Sequence, residues 1–145
     1  MHAINWGRLI LGAVVAGAII FLIEGAAATA SMAEMARALQ EHSLTMPLGA
    51  RGMVGGAVIS LLMGFGLVFF YVAARSRFGP GWKTAVIVAL VFFFTGYFAG
   101  LIGYGMIGLY PTELLTRWGV TGLFETLVAT LAGAWLYRER VTPKL

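Results

Sequence analysis

Two carboxylates stand inside apolar stretches of this sequence, and their type and position could support chemistry. Glu24 interrupts an apolar run over residues 9–31, and Glu125 interrupts another over residues 118–137. An ionisable side chain inside a bilayer is costly, so it is by default a candidate functional residue. No lysine or arginine lies within either run to neutralise the acids. If they meet, the pair could share a proton, bind a cation or hold a cationic substrate.

The two acids are predicted to lie in one layer of the membrane. Glu24 is about four residues, or roughly 6 Å, from the middle of its span, and Glu125 is about two residues, or roughly 3 Å, toward the same face. The first and last helices of an up-down bundle are neighbours, so the carboxylates could meet. Hydroxyl groups reach this layer and could hydrogen-bond a carboxylate. They belong to Ser60, Tyr97 and Tyr104.

Several interpretations of this polar layer stay open. The acids could be protonated and hydrogen-bonded as structural glue, could bind an ion or proton, or could contact another subunit or a lipid. A membrane enzyme or lipid-binding protein with carboxylates lining a lateral pocket is a further hypothesis. The chain has no H-E-x-x-H, G-x-S-x-G or Walker motif, so we assign no catalytic residue.

The composition indicates that most of the protein lies in lipid. Of its 145 residues, 60% are hydrophobic and 11% are charged, against about 25% charged in a soluble domain. There are no cysteines, and neither of the two histidines lies in an apolar run, so we expect no metal and no cofactor. The net charge of +4 comes from basic residues beside the apolar runs, which favours anionic lipid over nucleic acid as the partner.

Four apolar runs are long enough to cross a bilayer, which takes about 20 residues. They cover residues 9–31, 52–74, 84–110 and 118–137. They are continuously apolar, which a β-barrel strand is not. The first run also imitates a secretory signal, but we expect it to be retained as a span. The sequence therefore predicts an all-α, up-down antiparallel four-helix transmembrane bundle that forms one domain over residues 1–145.

A further short helix is predicted between the first two spans. Ser31 and Glu34 have the spacing of a capping box. Met32, Met35 and Leu39 follow at the spacing of one helix face. We therefore expect an outer amphipathic helix that ends before Pro47.

The distribution of basic residues predicts the orientation. Seven of the ten lysines and arginines lie at the two ends of the chain and in the second loop. They are Arg8, Arg75, Arg77, Lys83, Arg138, Arg140 and Lys144. The positive-inside rule places both termini in the cytoplasm. Four tryptophans near the span ends are interpreted as interfacial anchors, namely Trp6, Trp82, Trp118 and Trp135.

Stripes of small residues are predicted to pack the helices, because they let backbones approach closely. The clearest stripes lie on spans two and three. They are Gly52, Gly56, Ser60 and Gly64, and Gly96, Gly100, Gly103 and Gly108. One set could pack the bundle while another joins protomers, or all could be internal.

Three segments carry a resemblance to other sequences. They are residues 4–12, the turn at 77–85 and the stretch 127–139. These segments resemble a group of uncharacterised small bacterial four-span integral membrane proteins. The resemblance implies the bacterial inner membrane and no activity. From the stripes of small residues and the absence of catalytic motifs, we predict a non-enzymatic integral membrane protein that forms a homo-oligomer or an accessory subunit. The alternative is a small proton- or cation-coupled transporter or channel.

Overall fold

The computed structural model of the protein describes residues 4–46 and 49–138. Four of its helices are long and apolar enough to cross a membrane. They are α1 (Trp6–Glu41), α2 (Ala50–Phe78), α3 (Trp82–Met106) and α4 (Thr112–Leu136). Successive helices run antiparallel and are joined by short connections, which confirms the predicted four-helix bundle. We call the end that carries Asn5 and Tyr137 the terminal end, and the opposite end the distal end.

Helix α1 is longer than the predicted first span and includes the residues of the predicted outer helix. It continues through Ser31 to Glu41 without a break, so the prediction of a separate amphipathic helix is wrong. The Ser31 hydroxyl donates to the Ala27 carbonyl at 2.7 Å, as it does inside a helix. Residues 26–41 contain many alanines and no glycine or proline, which favours one continuous helix. Pro47, the expected end of the outer helix, lies outside the described residues.

Helix α3 contains one irregular turn. Its α-helical parts, Trp82–Phe92 and Ala99–Met106, are joined by a π-helical segment at Phe93–Phe98. A π-helical turn holds an extra residue and changes the direction of the side chains that follow, and such turns are frequent at functional sites. The helix ends at Met106, earlier than predicted, because the chain turns at Gly108, whose φ is +67°.

Glycine contacts hold α1 against both of its neighbours. A Cβ added to Gly64 of α2 would lie 2.7 Å from the Cα of Gly17. A Cβ added to Gly12 of α1 would lie 2.7 Å from the carbonyl oxygen of Gly133 on α4. These helices can approach closely because their contact positions have no side chain. The small residues of spans one, two and four therefore pack the bundle from inside.

Polar contacts pin the two ends of the α1–α4 pair. At the terminal end, the backbone N–H of Asn5 donates to the Tyr137 hydroxyl at 3.4 Å. At the distal end, the Trp118 indole donates to the Ser31 hydroxyl at 3.3 Å, and Arg117 pairs with Glu34. The extended part of α1 is therefore anchored to α4. The basic residues Arg140 and Lys144 lie outside the described residues.

Candidate functional site

Glu125 is the most unusual polar side chain of the bundle. It lies on α4 and is 0% exposed. Among residues 4–46 and 49–138, neither of its carboxyl oxygens has a hydrogen-bond partner. The adjacent hydroxyl of Thr126 donates to the Gly122 carbonyl of the same helix at 2.6 Å, and so does not serve the carboxyl group. A buried polar group without a partner lowers the stability of a fold, so packing alone does not account for Glu125.

Glu24 lies on α1 and faces Glu125. The two carboxyl groups interact directly, and a proton held by either acid could join them. The first and last helices of the bundle pack against each other. This packing brings together two acids that come from opposite ends of the chain.

Tyr97 joins the acids from α3. Its hydroxyl donates to Oε1 of Glu24 at 2.8 Å, and its ring stacks on Phe93 with centroids 5.9 Å apart. Both aromatic residues belong to the π-helical segment. Gly122 of α4 leaves room for the Tyr97 ring, because an added Cβ would lie 2.6 Å from its Cζ atom. We call Glu24, Tyr97 and Glu125 the acid cluster.

The other two predicted site residues lie outside the acid cluster. Ser60 is buried where α2 meets α1, and its carbonyl oxygen lies 2.9 Å from a Cβ built on Gly17. Gly17 and Glu24 are seven positions apart, or about 10 Å along a helix, so Ser60 is at a different level. Tyr104 lies two turns beyond Tyr97 on α3 and lines a cavity that Glu24 also lines.

This cavity opens beside the acid cluster on the distal side and has a volume of about 420 Å³. It is bounded by α1, α3 and the beginning of α4. Its lining residues are Glu24, Ala28, Met35, Gly96, Tyr97, Gly100, Leu101, Tyr104, Tyr110 and Trp118. A volume in this range is ordinary for a small-molecule site. We call it the distal cavity.

Three aromatic rings form one wall of the distal cavity. Tyr104 and Tyr110 meet edge to face with centroids 5.6 Å apart. Tyr110 and Trp118 meet in the same way at 4.9 Å. The sequence analysis assigned Trp118 to the membrane interface and did not select Tyr110. The sequence feature that could have indicated this wall is the occurrence of three aromatic residues on either side of one predicted turn.

The charge of the distal cavity is negative. Glu24 is its charged lining residue, and no lysine, arginine or histidine lines it. Arg117, which precedes the lining residue Trp118, pairs with Glu34. Burial, and to a lesser degree Tyr104, raise the pKa of the Tyr110 phenol above its ordinary value, which keeps this phenol neutral at physiological pH. Within the described part of the chain, no group of three His, Cys, Asp or Glu side chains could hold a metal ion.

No known protein-family model, curated protein or solved structure matches this chain. The arrangement of the acid cluster and the distal cavity is therefore the basis for a functional proposal.

Proposed function

We propose that this protein is a small proton- or cation-coupled membrane transporter or channel in which Glu24 and Glu125 bind the coupling ion. The observation that carries this proposal is Glu125, a wholly buried carboxyl group with no hydrogen-bond partner among the described residues and a second acid beside it. Two neighbouring carboxylates in a low dielectric are both ionised only when a cation neutralises them. Without that cation the pair holds a proton, so the two ligands compete.

The geometry supports this function better than structural glue. A purely structural role requires that the acids hold helices together through hydrogen bonds. Within residues 4–46 and 49–138, no hydroxyl, amide or basic group donates to Glu125, and its neighbour is a second acid. Glu24 has a tyrosine partner and also lines the distal cavity, so a ligand can reach the cluster through Glu24. Glu125 lies behind it. This arrangement resembles a short relay from an open cavity to a buried acid.

A flux measurement tests the proposal. The purified protein is reconstituted into liposomes that enclose a pH-sensitive dye, and an imposed membrane potential drives proton entry. We expect Glu125→Gln and Glu24→Gln each to lower the protein-dependent flux about tenfold or more, because the amide cannot bind and release a proton. Glu113→Gln, which changes an exposed acid in the first turn of α4, should keep the wild-type rate.

Two results would count against the proposal. Wild-type flux equal to that of empty liposomes, under proton, sodium and potassium gradients in turn, would exclude transport of these ions. Wild-type rates in both Glu24→Gln and Glu125→Gln would separate the flux from the acid cluster.

A second candidate function is assembly, as a homo-oligomer or as an accessory subunit of a membrane complex. It is favoured by α3, where a Cβ built on Gly96, Gly100 or Gly103 meets nothing within 4 Å. Such open glycines allow a helix of another chain to approach closely. Native mass spectrometry in mild detergent tests this role, because it reports stoichiometry directly. A purely monomeric mass at all protein concentrations, with no bound partner, would count against it.

The location that we propose is the bacterial inner membrane, with both termini in the cytoplasm. The resemblance at residues 4–12 and 77–85 supports the membrane, and the positive-inside rule supports the orientation. Arg8, Lys83 and Arg138 belong to the terminal end of the bundle. With this orientation the distal cavity opens toward the outer side.

A further inference from the structure

The distal cavity combines a carboxylate with aromatic walls, and this combination has a specific chemistry. Glu24 supplies negative charge at its inner end. Tyr104, Tyr110 and Trp118 supply neutral rings whose faces carry partial negative charge. Carboxylates attract any cation, whereas ring faces attract in particular a cation that is weakly hydrated and carries carbon substituents. The cavity is thus suited to an organic cation.

The remaining lining favours an organic cation over a bare metal ion. Metal ions such as Ca²⁺ take six or more oxygen ligands, and Mg²⁺ requires an octahedral shell. The cavity offers one carboxylate, a few phenols and the apolar side chains of Ala28, Met35 and Leu101. Apolar walls stabilise the carbon substituents of a ligand and do not replace the water shell of a small ion. An anion is disfavoured because no basic residue lines the cavity.

The orientation of the anionic group is fixed before a ligand arrives. The Tyr97 hydroxyl holds Oε1 of Glu24 at 2.8 Å, and Gly122 leaves the space in which Tyr97 sits. On the opposite wall, the Trp118 indole donates to Ser31 at 3.3 Å, which fixes the ring. A preorganised site loses little side-chain entropy on binding.

Two glycines of α3 keep the cavity open. Gly96 and Gly100 line it, and a Cβ built on either would meet nothing within 4 Å. Gly103 is equally open but is not part of the lining. The pair Gly100 and Gly103 therefore offers a matched comparison, in which one larger side chain fills the cavity and the other does not.

We propose that the distal cavity binds a substituted ammonium ion, with its nitrogen beside the Glu24 carboxylate and its carbon substituents against Tyr104, Tyr110 and Trp118. The inference deepens the proposed function, on which it rests, by naming the substrate class of the same site. The shared chemistry is a quaternary or tertiary ammonium group. Such a group occurs in free organic cations and in the choline headgroup of phosphatidylcholine.

Equilibrium dialysis of the purified full-length protein in detergent tests this proposal, with radiolabelled benzyltrimethylammonium as the probe at constant ionic strength. We expect saturable binding to the wild type. Glu24→Gln should weaken it about tenfold or more, because the ion pair is lost. Gly100→Leu should abolish it by filling the cavity, while Gly103→Leu should bind like the wild type.

Substitutions of Tyr104 in the same binding assay test the role of the aromatic wall. Tyr104→Phe keeps a ring face and should keep most of the affinity, whereas Tyr104→Leu should weaken binding several-fold. Phe94→Leu, at an exposed ring of the same helix, serves as the control. Equal affinities in Tyr104→Leu and the wild type would contradict the assigned wall.

Binding measurements in nanodiscs distinguish a lipid headgroup from a free organic cation as the occupant of the cavity. If phosphatidylcholine nanodiscs suppress probe binding and phosphatidylglycerol nanodiscs do not, the occupant is a lipid headgroup. Equal binding in both identifies a free cation. No saturable binding to the wild type, or equal binding to Gly100→Leu, overturns the proposal.

The flux assay distinguishes this inference from the proposed function. Flux without probe binding in the wild type would overturn the organic-cation site alone. Probe binding without any ion flux would overturn the transport function alone.

Discussion

Gly122 on α4 and Tyr97 on α3 are in direct backbone-to-ring contact: a Cβ built on Gly122 would lie 2.6 Å from Cζ of Tyr97. The same ring carries the hydroxyl that holds Glu24. A helical glycine, a π-helical turn and a pair of acids are thus joined in one unit. The position of the acid cluster depends on a residue that carries no functional group.

The first prediction follows from that contact. Gly122→Ala forces the Tyr97 ring to move, and we expect it to lower the free energy of unfolding by about 1–3 kcal/mol, as overpacking does. It should also reduce proton flux, because Tyr97 no longer orients Glu24. Gly119→Ala is the matched control, since its Cβ would meet Leu101 at an ordinary 3.5 Å. Thermal unfolding in mild detergent compares the stability of the two variants, and the liposome assay compares their flux. Equal unfolding midpoints would contradict the prediction.

The spans were predictable because bilayer thickness demands long apolar runs, and a charge within such a run is conspicuous. The common depth of Glu24 and Glu125 in the membrane, expected from counting along the helices, stays a prediction. The π-helical turn at Phe93–Phe98 was not predictable, because no residue type marks it and only packing against α4 reveals it. Two residues that line the distal cavity, Gly96 and Tyr97, belong to this turn. The sequence therefore did not predict the cavity.

The continuous α1 shows a different limit. The Ser31–Glu34 spacing of a capping box also occurs inside helices, where the serine hydroxyl bonds to the preceding turn. The alanine-rich sequence of residues 26–41 lets α1 continue past this position. The ion pair of Glu34 with Arg117, 83 residues away, then anchors the extension to α4. A local pattern cannot contain such a contact.

A second prediction concerns the α1–α2 contact. Gly64→Ala would place a Cβ 2.7 Å from the Cα of Gly17, and neither backbone can move without separating the helices. We expect a loss of about 2–4 kcal/mol of stability. Gly55→Ala on the same helix, where a Cβ meets nothing within 4 Å, should be neutral or slightly stabilising. Similar unfolding midpoints for the two variants would refute internal packing by this stripe.

A third prediction tests the proposed orientation. The chain has no cysteine, so Gln40→Cys and Ser76→Cys each introduce a single thiol at an exposed position on opposite ends of the bundle. With cytoplasmic termini, a membrane-impermeant maleimide should label Gln40→Cys in intact cells and Ser76→Cys only after lysis. The reverse pattern would invert the topology, and labelling of both in intact cells would require a mixed orientation.

The final prediction separates a functional acid from structural glue. Glu125 is 0% exposed, and no hydroxyl, amide or basic group among residues 4–46 and 49–138 donates to it, so removing its carboxyl group relieves a desolvation cost and leaves no such donor unpaired. Glu125→Met, which keeps the length of the side chain, should raise the free energy of unfolding by about 1–3 kcal/mol while abolishing ion flux. Glu41→Met, at an exposed acid at the end of α1, should leave both stability and flux near wild type. Denaturant titration in mild detergent measures the stability, and the liposome assay measures the flux. A Glu125→Met protein that is less stable than the wild type would show that the carboxyl group holds the bundle together, and the transport proposal would lose the observation on which it depends.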